Sequence, residues 1–127
     1  MRFLSLVKID PSFQGQDPPQ ALMDAMGELI DQQIKDGVLL DTGGLLPTSA
    51  GAEVKVKDGQ VTVVDGPFAE AREVVGGWAF LQCRDLAEAI EHTRRFVQLH
   101  IDHFPGFDVT CEVRPCADGP DLGAASA

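Results

Sequence analysis

Val64-Asp65-Gly66-Pro67-Phe68-Ala69-Glu70-Ala71-Arg72-Glu73-Val74-Val75-Gly76-Gly77-Trp78 joins two apolar runs through a turn crowded with charge. Pro67 biases the preceding Gly66 toward extended or turn backbone, where a glycine tolerates angles that a side chain does not. Pro67 then sets the exit direction, and Asp65 is placed to hydrogen-bond its own turn. No helix or strand runs unbroken through such a segment. The apolar runs on either side are therefore separate elements.

Just upstream, Asp58-Gly59 lies between Val54-Lys55-Val56-Lys57 and Gln60-Val61-Thr62-Val63, a two-residue hairpin signal. Pairing Lys57 with Gln60 sets Val56 opposite Val61 and Val54 opposite Val63. Four valines then share one face, and Lys55, Lys57, Gln60 and Thr62 make the other, wet side. Downstream, Val75 to Cys83 alternates Gly77, Ala79 and Leu81 against Trp78, Phe80 and Gln82, which predicts different packing on its two faces. Asp85-Leu86-Ala87-Glu88 has the form of a capping box that opens a helix. Leu86, Ile90, Phe96, Val97 and Leu99 supply its stripe, and Pro105-Gly106 ends it or closely follows its end. Asp108 to Arg114 reads as the last strand, with Val109, Cys111 and Val113 on one face.

Toward the N-terminus, Phe3 to Ile9 reads as a strand apolar on both faces and hence covered on both. Asp17 is the expected cap of a helix that starts at Pro18 and ends before Gly37. Its rows, Leu22-Met26-Leu29-Gln33 and Met23-Ile30-Ile34, make a wide stripe that reads as core rather than as a Met-lined ligand box. Val38 to Leu40 is a short strand before a loop at Thr42-Gly43-Gly44. The order strand, helix, strand, hairpin, strand, helix, strand defines an α+β chain with a ferredoxin-like split β-α-β plan and an inserted β-hairpin. Two helices cover one sheet face. The other, bearing Leu4, Leu6 or Trp78 and Phe80, predicts a homodimer joined sheet to sheet.

The 127 residues suit one domain over 1–116, followed by a frayed tail over 117–127 rich in Gly, Ala, Asp, Ser and Pro. A formal net charge of −10 repels nucleic acid and anionic membrane alike, so neither is an expected partner. Lys8 and Asp10 cut the first apolar run too short for a signal peptide, and nothing approaches a bilayer-spanning length. Cys83, Cys111 and Cys116 form an odd set with neither C-x-x-C nor metal-ligand spacing, which points to a reducing cytoplasm. Cys83 and Cys111 read as small buried apolar residues on strands.

The Asp65 to Glu73 stretch closely resembles the signature of the DGPF branch of the YCII-related family, usually written DGPFAETKE and followed by an apolar strand. Ala71 stands where that signature has Thr, and Arg72 where it has Lys. Cys111-Glu112-Val113-Arg114-Pro115 is similar to the family's closing E-V-R-P strand. The resemblance spans most of the chain and implies a dimeric α/β barrel. One branch of the wider family resembles lyases that eliminate chloride from chlorinated hydroxyquinols with a His and an Asp from the first half of the chain. No histidine precedes His92 here, so that dyad does not carry over. DGPF proteins also resemble partners of extracytoplasmic-function sigma factors, which implies a noncatalytic sensing or interaction module as the alternative.

The residues that could carry chemistry lie in three groups. Asp65 is either a turn residue bonded to local backbone or an acid-base or anchoring carboxylate. Phe68, Glu70 and Arg72 accompany it as ligand-binding candidates, with Trp78 beyond them. His100 and His103 are catalytic candidates as a proton shuttle, because imidazole titrates near neutrality, or they flank the end of their helix. His92, beside Glu91 and Arg94, reads as solvated. The spacing of His100 and His103 can hold a metal, yet no Glu or third His matches it, so neither metal nor cofactor is expected. Glu112 and Arg114 share a face and either line a cleft or form an edge ion pair. No nucleophile elbow, phosphate loop, dinucleotide fingerprint or zinc-protease motif occurs. The resulting expectation is a small-molecule-binding homodimer with acid-base chemistry in a barrel cleft.

Overall fold

The computed structural model describes residues 1–68 and 71–117. Glu70 and most of the expected tail lie outside the described residues. Strand β1 (Arg2–Ile9) leads through a short 3-10 turn to helix α1 (Gln20–Lys35) and strand β2 (Leu39–Gly44). Strands β3 (Ala52–Lys57) and β4 (Gln60–Asp65) form the hairpin. Strand β5 (Val74–Gln82), helix α2 (Leu86–His103) and strand β6 (Thr110–Pro115) complete the order. The main sheet runs β2-β5-β1-β6 with antiparallel neighbours throughout. This is a mixed α+β architecture compatible with a ferredoxin-like fold. Among the described residues, no helix is long and apolar enough to cross a membrane.

Alternation along the two central strands sorts side chains between the helix side and the outer side. Phe3 pairs with Leu81, Ser5 with Ala79 and Val7 with Gly77 on the helix side. At the first of these pairs the sheet is sealed: Phe3 and Leu81 join Val38, Leu39, Cys83 and Ala89 in the buried core, with Ile30, Ala79 and Val113 packed against it. Leu4 pairs with Phe80 and Arg114, and Leu6 with Trp78 and Glu112, on the outer side. Arg2 places its guanidinium carbon 5.6 Å from the Phe80 ring centroid. Lys8 Nζ lies 2.8 Å from Glu112 Oε1. The outer apolar side chains are half-buried, and neither helix covers them.

Both helices depart from the sequence expectation for identifiable reasons. The first begins at Gln20, with Pro19 as its cap and no side-chain cap bond, so Asp17 does not serve. Pro18 and Pro19 delay the helix start. Met23 and Ile34 are exposed, which leaves the Leu22-Met26-Leu29-Gln33 row as the inward one. In the second, Asp85 Oδ1 accepts the Glu88 N–H at 2.9 Å, as the capping box requires. Glu88 Oε1 reaches back to the Arg84 N–H instead of the cap residue's own. Leu86 and Ile90 are exposed, and the buried row is Ala89, Thr93 and His100. Hydrophobicity alone picked the neighbouring row because small and polar residues face inward here. The second strand also runs on through Gly44, where a loop was expected.

The hairpin matches its predicted register: Lys57 faces Gln60, Val56 faces Val61 and Val54 faces Val63. Asp58 and Gly59 both take positive φ, 51° and 77°, as a type I′ turn demands. The four valines are 63–79% exposed, so no described part of the fold covers that face. The loop beyond the hairpin is anchored by Gly66, whose N–H donates to the Gly51 carbonyl at 2.9 Å. The Gly66–Pro67 peptide is cis. Gly66 is required by close approach rather than by the glycine-favouring turn angles its place before Pro67 suggested, since an added Cβ would overlap the Thr48 carbonyl. Gly66→Ala should therefore lower stability by about 1–3 kcal/mol, the usual cost of overpacking against backbone. Urea midpoints unchanged from wild type would show that the loop yields freely.

Candidate functional site

Away from the sealed Phe3–Leu81 end, the helices and sheet flank a half-open cavity of about 440 Å³. Its floor is the helix side of the central strands, where Ser5, Val7, Gly77 and Ala79 are too small to reach the helices. Met26 and Leu29 on the first helix and His92, Thr93, Phe96 and His100 on the second form the walls. Met26 thus lines a cavity, where the sequence suggested core. Phe13, Phe104 and Phe107 complete the lining at the far end. The volume falls within the roughly 300–1,000 Å³ of small-molecule sites.

His100 is the ionisable side chain most integrated into this wall. It is 7% exposed. Its ring meets Phe96 edge-on at 4.9 Å between centroids and lies nearly parallel to Phe107 at 6.1 Å. Phe107 in turn stacks on Phe104 at 4.6 Å and leans on Phe13 at 4.9 Å. His100 Nδ1 sits 3.0 Å from the Phe96 carbonyl oxygen. A carbonyl only accepts, so Nδ1 carries the proton and Nε2 keeps a lone pair. Burial holds the imidazole below its ordinary 6.5, against a smaller opposing effect of the Phe96 hydrogen bond. At neutral pH this is a neutral base in an aromatic sleeve. Nearby, the Thr93 hydroxyl and His92 Nδ1 are sealed from solvent with no hydrogen-bond partner among the described residues. Buried polar atoms are nearly always paired, so these two are groups a bound molecule could satisfy.

The residues expected from sequence divide sharply. His100 lines the cavity, and Trp78 borders it from a strand position whose side chain belongs to the outer face; Asp65, Phe68, Arg72, His103, Glu112 and Arg114 do not border it. Asp65 ends the exposed hairpin, and Arg72 is exposed in the loop after it. Phe68 lines a separate, more open hollow with Thr48, Glu53, Lys55 and Glu73. His103 is half-buried in the last turn of its helix. Glu112 is held below its ordinary value by hydrogen bonding and charge from Lys8, which is raised in return, and Arg114 Nε lies 3.6 Å from the same carboxylate. That trio belongs to the outer sheet face. Burial pushes the Cys111 thiol up to about 11, the Ser5 hydrogen bond opposing it weakly, which leaves it inert as a nucleophile. His92, read as solvated, is instead half-buried with its Nδ1 enclosed. Its signal was available in the sequence: His92, Thr93, Phe96 and His100 follow one helical face.

Comparison with known proteins places this geometry in a family. The model of the YCII-related domain matches residues 1–101, and the chain belongs to that family. An uncharacterized protein of Rhizobium meliloti (strain 1021) is 36% identical over 61 residues, covering 48% of this chain and 49% of that protein. The chain thus spans about half the length of that curated relative.

The depressed His100 value has a consequence for folding. Above about pH 6.5 both folded and unfolded chains hold His100 neutral, and it contributes no pH dependence. As pH falls below that, the unfolded chain takes a proton that the folded chain refuses, so stability is lost. Urea unfolding at about pH 7.5 and about pH 5 should show a larger acid-induced loss for wild type than for His100→Gln. Equal losses would mean that His100 titrates normally in the fold.

Proposed function

We propose that this protein is a homodimeric small-molecule-binding protein of the DGPF branch, with acid-base capability centred on His100. The observation that carries this reading is the 440 Å³ cavity into which a neutral imidazole is set among four phenylalanines. A flat, mostly apolar ligand with one hydrogen-bond donor suits those walls, its donor directed at His100 Nε2 and its acceptor met by the Thr93 hydroxyl. Such a base could withdraw a proton from a carbon acid or hydroxyl and return it, the requirement of a lyase or isomerase step. Asp65, outside the wall, is assigned to its turn. Three free cysteines suit a reducing cytoplasm.

The dimer would form through the outer sheet face. Leu4, Leu6, Trp78 and Phe80 make an apolar centre, rimmed by Lys8, Glu112 and Arg114, the layout of a protein interface. A second reading, a noncatalytic module that docks on a partner such as a sigma factor, draws on the exposed valine face of the hairpin.

A thermal-shift screen of small aromatic and alicyclic metabolites tests the first reading, because a ligand selective for the folded state raises Tm. Ala79→Leu, which fills the cavity from its floor, should abolish the response of any hit, and Asp65→Asn should preserve it. Hits that survive Ala79→Leu would move binding elsewhere. Loss of binding by a variant with substituted hairpin valines, with the cavity response absent throughout, would favour the docking module. For assembly, Trp78→Glu should convert a dimer to a monomer in light scattering; a wild-type monomer at micromolar concentration would remove the sheet-to-sheet interface.

A further inference from the structure

At the sealed end of the sheet, opposite the aromatic lining, Cys83, Glu88 and His92 bring three different donor atoms together. The Cys83 sulfur, a Glu88 carboxylate oxygen and a His92 ring nitrogen all lie within 4.8 Å of one another. Tertiary structure and helix geometry both contribute. Glu88 and His92 stand one turn apart on the second helix, which puts them on one face. Cys83 follows the last residue of β5, where its backbone N–H is held by the Met1 carbonyl at 2.9 Å. Cys83 is 3% exposed.

We propose that Cys83, Glu88 and His92 form a zinc site that leaves one coordination position open. Thiolate, imidazole and carboxylate together select zinc among the common divalent ions, since calcium and magnesium take oxygen donors alone. Donors on a tetrahedral ion stand roughly 3.5 Å apart, and side-chain rotations can bring donors already within 4.8 Å of one another to that spacing. One further observation points to an ion. His92 Nδ1 is enclosed without a partner, an unmet acceptor or donor that coordination would resolve. A divalent cation there would take the Cys83 thiol as thiolate.

The surrounding contacts support the carboxylate without using it up. Glu88 Oε1 accepts the Arg84 N–H at 3.0 Å, and Oε2 lies 3.2 Å from an Arg84 guanidinium nitrogen. Each oxygen keeps a second lone pair, and such outer contacts orient a ligand carboxylate. Binding releases one proton: zinc and the Cys83 thiol give a zinc–thiolate bond and a hydronium ion in solution. The fourth position is open to water. His92 also lines the cavity, so the ion would share a residue with that wall.

Cobalt(II) tests the site directly, because a cobalt–thiolate bond gives a near-ultraviolet charge-transfer band and a tetrahedral ion gives intense visible bands. The metal-free wild-type protein should develop both at one equivalent of cobalt and lose them when zinc is added. Cys83→Ser should lose the charge-transfer band, whereas Cys116→Ser should keep it. His92→Gln and Glu88→Gln should weaken cobalt binding by roughly tenfold or more while keeping the wild-type circular dichroism. These two decide the matter even if Cys83→Ser misfolds. A wild-type protein without the band, or a band that persists in Cys83→Ser, or unchanged affinity in both His92→Gln and Glu88→Gln, overturns the assignment.

Discussion

The two helices are held to the sheet at one end, and the rest of the molecule follows from that asymmetry. At the Phe3–Leu81 pair, large side chains from both central strands fill the gap to the helices with Val38, Leu39 and Ala89. One pair further along stand Ser5 and Ala79, and then Val7 and Gly77. Side chains of this size cannot span a helix-to-sheet layer, which is close to 10 Å deep. The helices bridge the space instead of filling it. A half-open cleft is the result, and the histidine in its wall is kept neutral by burial against aromatic rings.

The polar row on the second helix makes sense against the same asymmetry. Ala89 packs into the buried core at the sealed end. Thr93 and His100 face the open end, where leucines would have closed the cavity. Keeping polar atoms inside costs stability, since each unpaired buried group forgoes its hydrogen bonds to water. Among the described residues, the Thr93 hydroxyl and His92 Nδ1 carry that cost in the ligand-free chain. Sites that give up stability in this way are commonly the ones that bind something.

The signature loop and its hairpin serve a different end of the structure. Gly66 lets the chain press against the Thr48–Gly51 turn, which ties the loop to the hairpin's first strand. The hairpin extends from this anchor with its valine face bare. An isolated two-stranded ribbon is marginal in water, so the anchor at Gly66 is what the fold supplies to steady it.

Local patterns determined much of this protein. The Asp58-Gly59 turn set the hairpin register, alternation placed Trp78 and Phe80 opposite Gly77 and Ala79, and Asp85 marked the start of the second helix. Each depends on chain geometry over a few residues, which a sequence displays directly. The helix-start error at Asp17 and the misplaced stripe on the second helix arose where that locality failed, because consecutive prolines and an inward polar row defied the simple pattern. Only the tertiary structure decided where chemistry could occur. It left Asp65 on an exposed strand end, committed Glu112 to Lys8, and enclosed His100 among phenylalanines from separate segments. Burial is a property of what packs around a residue, and Cys83, Glu88 and His92 become neighbours only when the end of a strand meets the first turns of a helix.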